Sequence, residues 1–215
     1  MRVVVAGGHG QIALQLQRLL VERGDEAVGI VRNPDHVADL EQLGAKAAVL
    51  DLEQATVEDV VGVIDGADAV VFAAGAGPGS GAARKHTVDR DAAILLADAA
   101  LAAGVRRYVM VSAMRVDEAD PESEEVFQVY LRAKAAADAY LREQDLDWTI
   151  VRPGRLTDGP GTGRVRLGPD VGYGEVPRAD VAAALLGVLD EPATAGKQFN
   201  LVSGGTPVAT ALTDV

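Results

Sequence analysis

The sequence predicts a doubly wound α/β fold, in which helices cover both faces of a largely parallel sheet. Three observations support this prediction. Short aliphatic runs alternate along the chain with longer segments that have helical periodicity. Several of the runs are continuously apolar, as in strands that are buried on both faces. A glycine-rich turn joins the first run directly to the first helical segment, which is typical of α/β units.

The predicted strands share a short, aliphatic and β-branched composition. They lie at residues 2–6, 26–31, 47–51, 69–73, 107–112 and 148–151. The predicted helices share apolar residues three and four positions apart. They lie at residues 11–23, 34–43, 57–64, 88–103 and 124–143. Because helices follow strands throughout, we expect parallel strands joined by crossover helices.

Local signals mark the ends of several helices. Gly24 follows the first helix as a C-terminal stop. Asn33 is a suitable N-cap for the second helix, with Pro34 at its first position. Thr56 is the corresponding N-cap of the third helix.

The chain changes character beyond Gly154. Residues 157–174 contain six glycines and two prolines, so we expect a loop or flap on the substrate side rather than a long regular element. A helix at 178–189, a strand at 199–202 and a short terminal segment from Pro207 are predicted to follow. The tail is too small for an independent domain. We therefore expect one domain over residues 1–215, with 155–215 as a small substrate-side region.

Composition limits the classes of partner. With 20 basic and 32 acidic residues the net charge is -12, which disfavours binding to nucleic acid or to anionic membranes. The absence of cysteine excludes disulfides, thiolate metal sites and cysteine nucleophiles, and the three histidines lack metal-ligand spacing, so no metal site is predicted.

No apolar run approaches the length of a membrane span and the first strand begins at Arg2, so we expect no signal peptide and a cytoplasmic protein. The acidic run at 117–125 is interpreted as a solvated loop leading into a helix, rather than as a group that repels anionic substrates or binds a cation.

The turn after the first strand is predicted to hold the phosphates of a nucleotide. A bound pyrophosphate needs backbone N–H donors at close range and the positive end of a helix. Glycines allow that approach, and Ala13, in place of a third glycine, still lets the helix pack closely. The alternative is a tight turn without a ligand, which the strand-turn-helix context makes less favourable. The predicted contacts are Gly7, Gly8, His9, Gly10, Gln11 and Ile12.

Arg32 indicates NADP(H) rather than NAD(H) as the cofactor. An acidic residue usually ends the second strand of an NAD site and binds the ribose, and here Arg32 occupies that place. Arginine can bind a 2'-phosphate through charge-assisted hydrogen bonds, whereas an acid would repel it. The alternative is an ordinary surface arginine. Further cofactor contacts are predicted after the third and fourth strands, at Asp51, Leu52, Ala73, Ala74 and Gly75.

Tyr130 and Lys134 form a candidate catalytic pair. Their spacing of four places both side chains on one face of the predicted helix. A phenol there can exchange a proton with a substrate oxygen, and a nearby ammonium is expected to lower the pKa of that phenol. Ser112, at the end of the preceding strand, is predicted to hydrogen-bond the same oxygen. The alternative is a solvated helix face without chemistry.

These motifs, together with Thr149-Ile150-Val151-Arg152-Pro153-Gly154, resemble an atypical member of the short-chain dehydrogenase/reductase superfamily. Within it the chain is most similar to small single-domain NAD(P)H-binding proteins related to sugar-nucleotide epimerases, NmrA-like regulators and biliverdin/flavin reductases. The resemblance covers nearly the whole chain and implies a Rossmann fold. Neither the glycine turn nor Tyr-x-x-x-Lys specifies a substrate.

The resemblance also implies roles for individual residues. Tyr130 would be the acid/base, and Lys134 would bind the nicotinamide ribose and tune Tyr130. The backbone from Arg152 through Pro153 to Gly154 would pass the nicotinamide. The asparagine that often joins the proton relay in this superfamily has no match within residues 88–103. The pyrophosphate would lie against Gly7, Gly10 and Ala13, and the 2'-phosphate against Arg32.

Two functional hypotheses follow from the sequence. The first is an NADP(H)-dependent oxidoreductase or epimerase acting on a small carbonyl or hydroxyl, quinone or flavin-type substrate. The second is a non-catalytic NADP(H)-binding sensor that has a protein partner. The missing asparagine and the short region after Gly154 favour the second. An enclosed pocket over Tyr130 would favour the first, and a large exposed apolar face beside the nucleotide cleft would favour the second.

Overall fold

The computed structural model describes residues 1–77 and 79–215. Its strands are β1 (Arg2–Ala6), β2 (Glu26–Val31), β3 (Lys46–Val49), β4 (Ala69–Phe72), β5 (Arg107–Val111), β6 (Asp147–Pro153), β7 (Arg155–Thr157), β8 (Arg164–Gly168), β9 (Glu175–Pro177), β10 (Lys197–Ser203) and β11 (Thr206–Pro207). Its helices are α1 (Gln11–Arg23), α2 (Val37–Gln42), α3 (Val57–Ile64), α4 (Ala82–Arg84), α5 (Ala92–Ala103), α6 (Val126–Arg142), α7 (Arg178–Asp190) and α8 (Val208–Thr213).

The strands confirm the prediction of a largely parallel sheet. Nine of them form one sheet in the order β11-β8-β10-β6-β5-β4-β1-β2-β3. The strands from β10 to β3 pair in parallel, whereas β8 runs antiparallel to β10 and β11. β7 and β9 form a separate two-stranded sheet. No helix within the described residues is both long and apolar enough to cross a membrane.

Alternation along β1 divides the hydrophobic core between the two faces of the sheet. Val3 and Val5 point to one face, where they belong to the same core cluster as residues of α1 and α7. Val4 points to the other face, where its cluster includes residues of α3, α5 and α6. A strand that is buried on both faces is therefore continuously apolar, as the sequence predicted.

The glycine-rich region 157–174 is more ordered than predicted. It contains β8, whose Val165 is fully buried and which pairs with β10. Residues 164–167 alternate between exposed positions and buried or partly buried ones over a short span, and the surrounding glycines and prolines obscure this pattern. The prediction of a loop was wrong for these five residues.

The helix predicted at 88–103 begins differently. A π-helical segment, Lys85–Asp91, precedes α5. The wider π turn is uncommon and is frequent at functional sites. Here it places Lys85 and Asp89 in buried positions close to the carboxyl ends of the parallel strands. The helix predicted at 34–43 also begins with a different turn, the 3-10 segment Pro34–His36.

Candidate functional site

The turn between β1 and α1 has the geometry of a phosphate cradle. Gly7 has a φ of 78°, and a Cβ built on it would lie 2.5 Å from the Cα of Ala74, so only glycine fits there. The Gly10 N–H donates to the Gly7 carbonyl at 2.8 Å. Among the described residues, no hydrogen-bond partner is found for three N–H groups at the start of α1, those of Gln11, Ile12 and Ala13. Free donors at the positive end of a 13-residue helix fit a pyrophosphate.

Gly8 has a different role from the one predicted. It is buried, and a Cβ on it would lie 2.7 Å from the Cα of Gly29 in β2. Its N–H donates to the Ile30 carbonyl at 2.8 Å, and its own carbonyl accepts from Nε2 of Gln17 at 2.6 Å. Gly8 therefore allows the turn to pack against β2, and it lines neither of the two cavities described below.

A cavity of about 270 Å³ lies at the carboxyl ends of β1, β2 and β4. This is the edge at which open α/β sheets bind ligands. His9 and His36 stack at the cavity with ring centroids 3.6 Å apart, and Nε2 of His9 lies 2.7 Å from Oδ2 of Asp39. The structure brings most of the predicted cofactor residues together in its lining: Gly7, His9, Gly10, Arg32, Asp51, Leu52, Ala73, Ala74 and Gly75.

Arg32 belongs to a charged network that the sequence did not predict. Its Nη1 lies 3.0 Å from Oε2 of Glu53, which also accepts from Nη2 of Arg84 at 2.7 Å. Thr87 donates to the other Glu53 oxygen at 2.6 Å. Hydrogen bonding from Arg84 and Thr87 lowers the pKa of Glu53, although burial opposes this. Glu53 is two residues beyond Asp51, and an acid so close to the end of the third strand was an available signal.

A second cavity of about 610 Å³ adjoins the first and is lined by Ser112, Tyr130 and Lys134. The two cavities share Gly10 and the segment from Ala73 to Gly75. The three predicted catalytic residues therefore converge, and Ile12 lines the same space.

Pro153 and Gly154 lie beside this region without lining either cavity in the described structure. The Pro153 carbonyl accepts from the Met114 N–H at 3.0 Å, and the Gly154 N–H donates to the Leu201 carbonyl at 2.9 Å. Their contact with a nicotinamide stays a prediction.

Lys134 is buried at the carboxyl edge of the sheet, where its ammonium faces the carboxylate of Asp89. Its Nζ donates to the carbonyls of Val111 at 3.1 Å and Ala74 at 3.4 Å, and lies 3.7 Å from Oδ1 of Asp89. Burial lowers the pKa of Lys134, and the negative charge of Asp89 opposes this effect. The ammonium and the Asp89 carboxylate thus form a buried ion pair on the cavity wall.

The pKa of Tyr130 is raised, and the prediction that a neighbouring ammonium lowers it was wrong. Burial of the phenol is the largest cause, followed by the negative charges of Asp89 and Asp138. Lys134 does not offset these effects, because its charge is compensated by Asp89 at 3.7 Å. Tyr130 is therefore a protonated hydrogen-bond donor at neutral pH.

Ser112 lines the cavity, but its hydroxyl is directed to another partner. It donates to Oδ2 of Asp138 at 2.9 Å, and Nε of Arg152 donates to the same oxygen at 2.9 Å. Burial raises the pKa of Asp138 despite the positive charge of Arg152. In this geometry Ser112 offers its oxygen lone pairs to the cavity and does not donate a proton there.

Lys85 and Asp89 are site residues that the sequence reasoning missed. Lys85 is 8% exposed, with its Nζ 5.5 Å from the centroid of the Tyr130 ring. Asp89 is fully buried, and its Oδ1 has no hydrogen-bond partner among the described residues. The available signal was a lysine and an aspartate four positions apart, between a glycine-rich loop and an otherwise apolar helix.

Comparisons with known proteins agree with this site. A family model described as NAD(P)H-binding matches residues 7–192. The Bacillus subtilis protein named "Uncharacterized sugar epimerase YhfK" is 37% identical over 213 residues, which is 99% of each chain.

Two solved structures are also similar over the full length of the chain. A Bacillus halodurans protein, whose given name proposes an NAD-dependent epimerase/dehydratase, has a TM-score of 0.92 and 35% identity, with 100% of both chains covered. The oxidoreductase ylbE of Lactococcus lactis has a TM-score of 0.85 and 26% identity, covering 100% of this chain and 96% of its own. The resemblance inferred from the sequence is confirmed at the level of the family, and the chain belongs to the NAD(P)H-binding family that includes epimerase-like and oxidoreductase-like proteins.

Proposed function

We propose that this protein is an NADP(H)-dependent oxidoreductase of the short-chain dehydrogenase/reductase superfamily that reduces a small carbonyl compound. One observation carries the proposal. The cavity at the phosphate cradle and the cavity that contains Tyr130 share Gly10 and the small residues from Ala73 to Gly75. They form one cleft along the carboxyl edge of the sheet, where a dinucleotide in such folds binds.

The residues of the second cavity fit a reduction. A bound reduced nicotinamide supplies a hydride when a carbonyl substrate lies beside it. Tyr130, protonated because burial raises its pKa, donates a hydrogen bond and then a proton to the substrate oxygen. Lys134 contributes a positive charge near that oxygen, and the N–H that makes the long 3.4 Å contact with the Ala74 carbonyl would turn to a ribose hydroxyl, while Asp89 lies 3.7 Å from the ammonium.

The cavity favours a reductase over a sugar-nucleotide epimerase. Its lining includes the apolar side chains of Val126, Phe127 and Leu156, a surface that fits an apolar carbonyl compound better than the polyhydroxylated ring of a sugar. The test is NADPH oxidation by purified protein with panels of aldehydes and ketones, quinones and flavins. Turnover of a carbonyl supports the proposal. An epimerase would instead isomerise its substrate without net oxidation of NADPH.

Replacing Arg32 by alanine is expected to weaken NADPH binding selectively. The guanidinium would lose its charge-assisted hydrogen bonds to the 2'-phosphate, at a cost of about 1 to 3 kcal/mol. NADH has no such phosphate and should bind as it does to the unchanged protein. Titration of both cofactors by calorimetry measures the difference.

The matched control for this prediction is Arg106→Ala. Arg106 is an exposed arginine that pairs with Asp145 just before β5, at the opposite edge of the sheet. This variant should bind both cofactors normally. An equal loss of NADPH and NADH affinity in Arg32→Ala would reject the 2'-phosphate assignment and would indicate that Arg32 acts by holding Glu53.

The second candidate function is a non-catalytic cofactor sensor. Val126 and Phe127 favour it, because they are exposed by 43% and 60% at the mouth of the cleft and could contact a protein partner. The sensor hypothesis is supported if NADPH binds without turnover of any compound in the panels and if Phe127→Ser abolishes a cofactor-dependent association with a protein partner.

A further inference from the structure

We propose that the substrate is a flat, apolar carbonyl compound that carries a carboxylate, and that Lys85 binds this carboxylate. The inference rests on the proposed function because it concerns the same cleft. It names a specificity-determining residue that is separate from Tyr130 and Lys134. Three features of the second cavity carry it: the balance of charge, the surroundings of Lys85, and the shape of the apolar wall.

The charges on the described wall of the cavity do not cancel. Its ionisable side chains, apart from Tyr130, are Lys85, Asp89 and Lys134. Asp89 and Lys134 lie 3.7 Å apart and are both buried, so they compensate each other. No salt bridge joins Lys85 to a carboxylate within residues 1–77 and 79–215. One positive charge therefore remains on the cavity wall, although the chain as a whole has a net charge of -12.

Two of the three N–H donors of Lys85 are available to a ligand. Its Nζ donates to the Gly77 carbonyl at 2.9 Å, which uses one of three N–H bonds. Lys85 is 8% exposed, and the ammonium of a buried lysine gains more than that of an exposed one from an anionic partner, because fewer water molecules solvate it. Ser80 donates to the same Gly77 carbonyl at 2.8 Å, so its hydroxyl lies beside the ammonium and can rotate to serve an anion.

The apolar part of the wall, which adjoins Lys85 at Tyr130, fits a flat ring. Phe127 and Tyr130 stack at 6.0 Å between ring centroids and 30° between planes. Val126 and Leu156 extend this apolar surface. Aromatic side chains arranged in this way bind planar groups by offset stacking. Nζ of Lys85 lies 5.5 Å from the centroid of the Tyr130 ring, so a flat body against Phe127 and Leu156 would have both the Tyr130 hydroxyl and the Lys85 ammonium at its edge.

The acidic run before α6 does not oppose the proposal at short range. None of the acids at 117–125 lines the cavity among the described residues, and the exposed ones are screened by solvent and salt. Their field reduces the rate at which an anion approaches, but the local contact with Lys85 determines its affinity.

Binding of two matched probes, 2-naphthoate and 2-naphthamide, tests the proposal. Both are flat, bicyclic and unreactive toward hydride, and they differ in charge. With the protein saturated by NADP⁺, we expect calorimetry to show naphthoate binding about 10- to 100-fold more tightly than naphthamide. Lys85→Met should remove this difference, and Lys85→Arg should retain most of it. Lys197→Met, an equal charge change at the exposed start of β10, should leave it unchanged.

Equal affinities of the two probes for the unchanged protein would overturn the proposal, and this result needs no variant. A preference for naphthoate that survives in both Lys85→Met and Lys85→Gln would overturn it as well, since Gln keeps a polar head if Met disturbs folding. The result is independent of turnover. Selective naphthoate binding without any carbonyl reduction rejects the oxidoreductase, whereas reduction of neutral carbonyls without naphthoate selectivity rejects the role of Lys85.

Discussion

Replacing Tyr130 by phenylalanine is expected to lower kcat for the carbonyl reduction by about 10²- to 10⁴-fold, since the proton donor is lost. NADPH affinity and stability should hardly change. The Tyr130 hydroxyl has no hydrogen-bond partner among the described residues, so its removal leaves no buried group unpaired. Steady-state kinetics together with thermal unfolding measures both effects.

Tyr140→Phe is the matched control. Tyr140 lies on the same helix, α6, and donates its hydroxyl to Asp98 at 2.5 Å, away from the cleft. Its loss should reduce stability slightly and leave kcat intact. Turnover that is unchanged in Tyr130→Phe would refute the tyrosine mechanism and favour direct hydride transfer to a flavin-type acceptor.

The pH dependence of the reduction rate distinguishes a raised pKa of Tyr130 from a lowered one. A raised pKa keeps Tyr130 protonated at least up to the ordinary tyrosine value of about 10. The reduction rate should therefore show no Tyr130-dependent fall between neutral pH and that value. A fall near pH 7 to 8 that disappears in Tyr130→Phe would mean that Lys134 dominates the pKa when substrate is bound, as the sequence first suggested.

Replacing Arg152 by methionine is expected to lower the free energy of unfolding by about 3 to 5 kcal/mol, because it leaves a buried carboxylate without its cation. Asp138 has 0% exposure and accepts from Nε of Arg152 at 2.9 Å and from Nη2 at 2.8 Å. Its other oxygen has no partner within the described residues. Denaturant unfolding checks the loss. Arg106→Met, which breaks an exposed pair with Asp145, should leave the free energy of unfolding almost unchanged.

The loss of unfolding free energy in Arg152→Met should become smaller as the pH is lowered. Burial already raises the pKa of Asp138, and removing Arg152 takes away the charge that opposes this rise. The folded variant then binds a proton that the unfolded chain does not, so its stability increases relative to the unchanged protein as the pH falls from neutral toward the ordinary aspartate pKa of about 4. The double variant Arg152→Met/Asp138→Asn should recover part of the loss. A pH-independent difference without such recovery would mean that lost packing of the arginine stem is the cause.

The first half of the fold could be predicted closely from the sequence. The predicted strands at 2–6 and 26–31 and the helices at 11–23 and 57–64 match the structure residue for residue. Each carries its own signal, such as Gly24 as a left-handed C-cap and Thr56 in a capping box. The strand Arg164–Gly168 was missed because its partner β10 lies more than 30 residues further along the chain.

The features of the candidate site also fall into two groups, those that the sequence predicted and those that only the tertiary structure revealed. Two local properties of the chain are the spacing of Tyr130 and Lys134 and the position of the glycines after β1. The sequence alone therefore determined that Tyr130 and Lys134 share one helix face and that the glycines form one turn. The tertiary structure decided that Gly8 packs against Gly29 and that Asp89 pairs with Lys134. It also decided the direction of the Tyr130 pKa. Burial and the distance between charges depend on segments far apart in the chain, and only folding brings those segments together.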